Sequence, residues 1–511
     1  MALESTIQGG LASRRLGVGS LVFFTVAASA PMTVLAGGVV ATFAVSGVVG
    51  VPLAFPVIAA ALALFAVGYA AMSRYVFNAG ALYSYISQGL GRSWGVSGSL
   101  VALLGYNAIQ IGLYGLWGFA VDIFMQSHFN VAWPWWLWAL LAWVAVGILG
   151  LLKIDLNAKV LSVLLIAEVI AVLLYDVAAF THPAGGSIST AALTPDSLFV
   201  NGIGAVFALT IAAFVGFEQA AVYAEEARDP RRTVARATYI TVAITAVLYF
   251  ISAWAMTVAS GPENVIADAQ NPESGIPFST LAVHYGDTVA TIANVLLITS
   301  VFAALLSFHN GVARYLFALG RERVLPPVLG QTGRTSSAPT AGSIVQTVIA
   351  AVVLAVFIGL RLDPLTQLFT WLSYVAAVAV LLLMIGTSAA VIGFFQRRRN
   401  VEENAWQRLV APILAIVALG AITWVTVQNS SSVLGAEEGS ALVWLLPASV
   451  FLAAALGLLW GVVLKKTKPE IYQGVGFAGD LNAADVHDPG LHDPASSRGK
   501  SRHRPDSQMR V

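Results

Sequence analysis

The chain has 511 residues, of which 58% are apolar and 10% charged, where an ordinary soluble domain carries roughly 25% charged residues. Mean hydropathy is +0.80, more apolar material than a compact water-soluble body can hide, so lipid is the expected solvent. The 27 basic and 26 acidic residues leave a net charge of +1, no field to recruit nucleic acid, and the absence of cysteine excludes disulfides, thiolate metal sites and a cysteine nucleophile.

A hydrocarbon core of ~30 Å takes about 20 apolar residues per helix. Twelve continuous stretches meet that need: 17–43, 48–73, 94–126, 133–152, 157–181, 197–224, 236–259, 287–319, 341–360, 364–396, 406–428 and 441–464. A membrane barrel would instead alternate over ~10 residues, so the expected fold is an all-α integral membrane protein with twelve transmembrane helices. Residues 1–16 form an N-terminal tail. The first stretch follows Arg14 and Arg15 like a signal sequence, but its length and eleven successors keep it as span 1. With the N-terminus inside, Arg361 is the one basic residue of 27 to fall outside, as the positive-inside bias requires. Outer loops carry Glu263, Asp268, Glu273, Asp363, Glu437 and Glu438. The expected location is therefore the cell (inner) membrane, multi-pass, with both termini cytoplasmic. Trp133, Trp135, Trp136 and Trp138 read as an interfacial belt. Residues 17–396 hold spans 1–10 as the core, and 397–465 hold spans 11–12 at its periphery. The stretch 466–511 is polar and aperiodic, the composition of a disordered cytoplasmic tail. Its His-Asp-Pro triplets at 487 and 492 lack a closed metal-ligand set.

No G-x-x-x-x-G-K-[ST] loop and no H-E-x-x-H pair occurs, so neither an ATP-driven pump nor a zinc hydrolase of those types is expected. Helices joined by short loops point to secondary transport instead. Spans 1 and 6 are interrupted near mid-membrane. Span 1 reads Ala28-Ser29-Ala30-Pro31-Met32-Thr33, then Gly37-Gly38. Pro31 has no N–H and crowds the preceding turn, ~3 kcal/mol against an unbroken helix, and Ser29 is placed to cap the helix Pro31 begins. Span 6 reads Phe214-Val215-Gly216-Phe217-Glu218, a glycine weakening the helix beside a buried acid. Span 6 lies five spans beyond span 1, an odd number, so the two run in opposite directions as an inverted repeat would. Unwound backbone at that depth survives where it lines a cavity. The N–H groups starting the outer half of span 1 favour a carboxylate, and the carbonyls ending both first halves favour an ammonium, which describes a site for a zwitterion. The alternative is that Pro31 merely kinks span 1.

Three cytoplasmic stretches add to this. After span 2 comes Ser73-Arg74-Tyr75-Val76-Phe77-Asn78-Ala79-Gly80-Ala81-Leu82-Tyr83-Ser84-Tyr85, then Gly89-Leu90-Gly91. After span 6, Gly216-Phe217-Glu218 is followed by Glu225-Glu226-Ala227-Arg228-Asp229-Pro230-Arg231-Arg232. After span 8 comes Arg314-Tyr315-Leu316-Phe317-Ala318-Leu319-Gly320-Arg321-Glu322-Arg323-Val324-Leu325-Pro326. In order and register these resemble the motifs of the amino acid, polyamine and organocation (APC) permease family, with Phe77 where proline is usual, over roughly residues 15–425. The resemblance implies a five-plus-five inverted repeat like that of the leucine transporter, with two extra C-terminal spans. It implies a substrate held between the breaks, by Ala28, Ser29, Ala30, Pro31, Met32 and Thr33 and by Phe214, Val215, Gly216, Phe217 and Glu218. This chain departs from the family where Gly-x-Gly is usual at the first break and where an aromatic gate usually precedes the span 6 acid, here Ala212, so Phe214 or Phe217 would have to close the site. Pro31-Met32-Thr33-Val34 and His309 are similar to the family's putrescine importers. The charges leaving span 6 read either as an inner gate or as a solvated loop, and Gly80 and Gly89 as turn and packing residues.

Glu168 lies about eleven residues into span 5, ~17 Å deep at 1.5 Å per residue, where an acid is costly and a functional candidate by default. Some proton-coupled members of the family carry a titrating lysine at this place. Glu168 and Glu218 are thus the coupling candidates, although Glu168 would equally suit a hydrogen bond inside the bundle. Asn107 and Gln110 in span 3, and His309 with Asn310 in span 8, either line the pathway or bridge helices. Asp122 and Asp176 sit toward outer ends and are expected to reach water. The expected function is secondary active transport of an amino acid by alternating access, as proton-coupled symport or exchange. Polyamine import is the alternative within the same mechanism, and an ion channel or a non-transporting nutrient sensor are rivals from other classes. The expected partners are the small-molecule substrate and the lipid bilayer. No enzymatic activity, metal or cofactor is expected beyond a coupling proton or sodium ion.

Overall fold

The computed structural model describes residues 17–76, 81–152, 158–218, 227–333, 338–398, 401–436 and 439–477. Several expectations fall outside these residues: the 1–16 tail, Phe77 to Gly80, the second half of span 6 with Glu225 and Glu226, Glu437, Glu438 and everything after 477. The described chain is helical, because in lipid each backbone N–H and C=O must find its partner within its own segment.

In chain order the principal helices are α1 Val18–Ser29, α2 31–46, α3 Val51–Met72, α4 Ala81–Leu90, α5 Arg92–Phe129, α6 Trp135–Leu151, α7 Ala158–Thr181 and α8 Ile203–Phe214. There follow α9 Pro230–Ser260, α10 Phe278–Tyr285, α11 Asp287–Arg321, α12 Thr340–Gly359, α13 Pro364–Gln396, α14 Trp406–Gln428, α15 Ala441–Thr467 and α16 Pro469–Gly474. Among the described residues ten helical runs are long and apolar enough to cross a membrane, with α1 and α2 counted as one. The shorter apolar helices Trp135–Leu151 and Ile203–Phe214 stand where spans 4 and 6 are expected.

The 38-residue α5 is the axle of the bundle, packed against α6, α11, α13 and α15. Small residues let backbones approach it, the usual device where lipid supplies no hydrophobic drive between helices. A side chain at Gly105 would sit 2.7 Å from the Ala379 methyl, and α15 brings Gly457 and Gly461 within 2.6 and 2.7 Å, measured to a would-be Cβ, of the Ser97 and Ser93 Cα atoms. Helix α15 is therefore seated on the core, while Leu445, Leu452 and Leu459 on its other face remain about 60% exposed, as a lipid-facing surface should.

Three expectations change here. Asp176 does not reach water: it is buried, and the Ser252 hydroxyl donates to it at 3.1 Å, because α9 covers that side of α7. Asp122 is half-buried, since α5 runs on to Phe129 and leaves it short of the helix end. The expected tail also starts later than 466: α15 continues to Thr467 and α16 follows directly.

Candidate functional site

The first break is a single residue wide. Ala30 closes α1 and opens α2 at φ 48°, ψ 77°, left-handed backbone that costs an L-residue roughly 1–2 kcal/mol and persists where the surroundings enforce it. Its N–H donates to the Val26 and Ala27 carbonyls, both at 3.1 Å. Ser29 is not the cap expected from sequence. Its hydroxyl turns back to the Thr25 carbonyl at 3.1 Å, and its own carbonyl accepts from the Tyr249 hydroxyl at 3.2 Å. Beyond Pro31 the helix widens into a π-turn at Val34–Val39, a form common at functional sites.

At the second break α8 ends at Phe214, Val215 is extended, and Gly216 takes φ 118°, a conformation for which glycine has no steric penalty. A Cβ on Gly216 would come 3.3 Å from the Ala28 methyl, so the two breaks touch. Between them lies a cavity of about 40 Å³. The first break contributes Ala28, Ser29, Ala30 and Thr33, its wide turn Val34 and Gly38, and the second break Ala212, Ala213 and Val215. The far walls are Ile109 and Leu113 of α5, Leu209 of α8, Ala304 and Phe308 of α11, and Phe369 from the π-turn that starts α13. A pocket that takes benzene measures ~150 Å³, so a substrate enters only as this one widens.

Among the described residues no ionisable side chain lines the cavity; two carboxylates stand behind its walls. Glu218 is 1% exposed, accepting from the Tyr106 hydroxyl at 2.7 Å and from the Gly216 N–H at 3.0 Å, while the Tyr69 hydroxyl holds its backbone carbonyl at 3.2 Å. Glu168, 5% exposed, accepts from Ser300 at 2.7 Å, and the Met32 N–H lies 3.5 Å from the same oxygen. Thr33, a lining residue, donates to Ser300 at 3.0 Å, so a hydroxyl chain runs from the cavity to Glu168.

Of the residues singled out from sequence, Ala28, Ser29, Ala30, Thr33 and Val215 meet at the cavity, whereas Pro31, Met32, Gly216 and Glu218 lie behind its lining. Phe214 packs on Phe55 and Tyr249, and Phe217 on Phe65, so neither covers the pocket; Phe308 and Phe369 are the aromatic residues that do. His309 points away, its Nε2 2.7 Å from the Ser343 hydroxyl and packed on Gly150. Asn107 donates to its own helix at Leu103. Gln110 bridges α5 to Gln346 of α12 at 2.8 Å. Each of these polar residues sits within two positions of a residue that lines the cavity, Phe308 beside His309, and Ile109 beside Gln110 and two positions from Asn107. One residue is 100° of helix, and apolar lining carries no chemical mark in a sequence that is apolar throughout.

A family profile described as an amino acid permease matches residues 16–460. The low-affinity putrescine importer PlaP of Escherichia coli is 24% identical over 433 residues, covering 82% of this chain and 86% of that protein. The branched-chain amino acid permease BcaP of Lactococcus lactis is 27% identical over 374 residues, 67% of this chain and 74% of that protein. The cationic amino acid transporter 7 of Arabidopsis thaliana is 30% identical over 171 residues, 33% of this chain and 28% of that protein. With broken helices meeting at a buried cavity and a profile spanning nearly the whole sequence, the chain belongs to the amino acid permease family, membrane transporters for solutes of the amino acid and polyamine class.

Proposed function

We propose that this permease has twelve spans in a five-plus-five inverted repeat, both termini in the cytoplasm of the cell that carries it, and that it moves an amino acid with an uncharged apolar side chain by alternating access. The observation that carries the substrate class is the lining: two hydroxyls against Ile109, Leu113, Leu209, Phe308 and Phe369, with no charged group among the described residues. A zwitterion needs polar partners only at its backbone end, and the breaks supply peptide groups there. A diamine such as putrescine, the named cargo of one relative, brings an ammonium at both ends, and each unpaired buried charge costs several kcal/mol.

Coupling follows from Glu168. Its carboxylate lies against the Met32 N–H, at the helix start where a substrate carboxylate would bind. Two carboxylates at one helix start repel each other. A proton on Glu168 removes that repulsion and frees the N–H for the incoming amino acid, so proton and substrate load together. Purified protein in proteoliposomes, offered labelled leucine, phenylalanine and putrescine with and without an inward pH gradient, tests both points. Saturable leucine or phenylalanine uptake accelerated by the gradient is expected. Putrescine uptake in preference to both would overturn the substrate class, and uptake indifferent to the gradient would overturn proton coupling.

A further inference from the structure

The chain just after span 12 makes a set of contacts that the transport site does not use. Residues 472–477 lie across α4 and the start of α5. The Ser87 hydroxyl donates to the Val475 carbonyl at 2.9 Å, Gln88 to the Gly476 carbonyl at 3.4 Å, and Arg92 Nε to the Gln473 carbonyl at 3.0 Å. The Arg92 guanidinium also lies over the Tyr472 and Phe477 rings, 6.0 and 5.4 Å from their centroids, and Ser93 donates to the Tyr472 hydroxyl at 3.2 Å. Val475 is fully buried. Gly476 sits at φ +81°, where a Cβ would fall 2.7 Å from that of Ser87, so the segment fits only with glycine at its closest approach.

The flanks of α4 beside this contact carry rings, one set of which forms a column leading to the cavity. Tyr83 packs on Tyr315 at 5.8 Å, Tyr315 on Tyr106 at 5.5 Å, and Tyr106 on Phe308 at 6.5 Å, and Phe308 lines the cavity. Tyr85 stacks on Tyr69 at 5.1 Å, the tyrosine that holds the Glu218 carbonyl. Thus α4 is held along one face by 472–477 and at its flanks by rings, one column of which ends at the cavity.

We infer that residues 472–477 are a strap that locks the cytoplasmic exit, and that α4 swings to open the cavity toward the cytoplasm only after the strap lets go. The inference rests on the alternating-access reading above and adds a part to it. Tyr83 and Ser87 stand one turn apart on α4, so a movement of α4 that parts Tyr83 from Tyr315 also pulls Ser87 from the Val475 carbonyl. Weakening the strap therefore shifts the population toward the inward-open state.

The chain contains no cysteine, so single cysteines are unique labels. Ser87→Cys, under the strap, reports its docking; Ala304→Cys, in the cavity wall, reports cytoplasmic access. Both are tested in the full-length chain in inside-out vesicles with a membrane-impermeant maleimide. Gly476→Val is expected to raise the labelling rate at Ser87→Cys about tenfold and that at Ala304→Cys at least threefold, and Val475→Asp to do the same by a different disruption. Labelling at Ser87→Cys that rises while Ala304→Cys stays unchanged would overturn the inference. So would protection of Ser87→Cys against both variants, or a cavity that opens during turnover while Ser87→Cys stays protected. Labelling needs no substrate, so a chain that failed to transport any amino acid would refute the permease reading separately from the strap.

Discussion

Glu168 and Glu218 are both buried acids beside a helix break, yet they are held in opposite ways. Glu218 belongs to the break it stabilises: its carboxylate closes back on the Gly216 N–H two residues away, and tyrosines from α3 and α5 hold its carbonyl and its carboxylate. Glu168 reaches a break from another helix, through one serine and one distant N–H. On the proposed coupling, the contrast separates a strut from a switch. A group with partners on three segments cannot change its bonds without moving them all, whereas one held by a single hydroxyl can take or lose a proton locally.

The largest expected effect is at the strut. Glu218→Ala leaves the Tyr106 hydroxyl and the Gly216 N–H buried without acceptors, at about 1–3 kcal/mol each, so thermal unfolding in detergent should shift down strongly and uptake should vanish. Glu168→Gln keeps the Ser300 contact and the shape; it should fold like the parent chain but lose acceleration of uptake by a pH gradient. A Glu168→Gln protein as unstable as Glu218→Ala would break the comparison. Ser300→Ala comes next: it removes the hydroxyl joining Thr33 to Glu168, about 1 kcal/mol, and should raise the half-saturating substrate concentration roughly fivefold, with a smaller loss of stability than Glu218→Ala. His309→Ala should cost a little stability through Ser343 and leave substrate affinity unchanged, since the ring faces away from the cavity. The smallest effect concerns pH at the end of α3. Tyr75 bonds Glu403 at 2.8 Å, and its partial burial, with Glu403 beside it, pushes its hydroxyl up to about 12. A tyrosine raised in this way adds stability below about pH 10, its ordinary value, and loses it as pH rises toward 12. Tyr75→Phe should therefore lower stability equally at pH 6 and pH 8 and leave the pH profile of uptake unchanged.

The overall plan was legible because lipid imposes it: apolar length marks the spans, and Pro31 and Gly216 mark the breaks by what their backbones cannot or can do. The meeting of those breaks was legible only as pairing, since nothing in a sequence measures the 3.3 Å between Ala28 and a Cβ at Gly216. What escaped was rotation about each helix axis. His309 and Asn107 drew attention as polar residues in apolar spans, and each faces a neighbouring helix or its own turn, while Phe308 and Ile109 line the pocket unmarked. Ser29 shows the same limit at a cap: a hydroxyl before proline has two acceptors in reach, and here the carbonyl of the preceding turn wins because Ala30 takes the left-handed turn itself. Residues 472–477 look like the start of a polar tail, and only the groove formed by Ser87 and Arg92 orders them.

Whether an amino acid occupies the space between the two breaks is tested most directly by substrate protection at Ala213→Cys, a lining position in a chain with no other thiol. Saturating leucine or phenylalanine should slow its reaction with a small thiol reagent at least fivefold, while putrescine should leave the rate unchanged. Equal reaction rates with and without amino acid, at concentrations that saturate uptake by the parent chain, would place the substrate elsewhere and contradict the account.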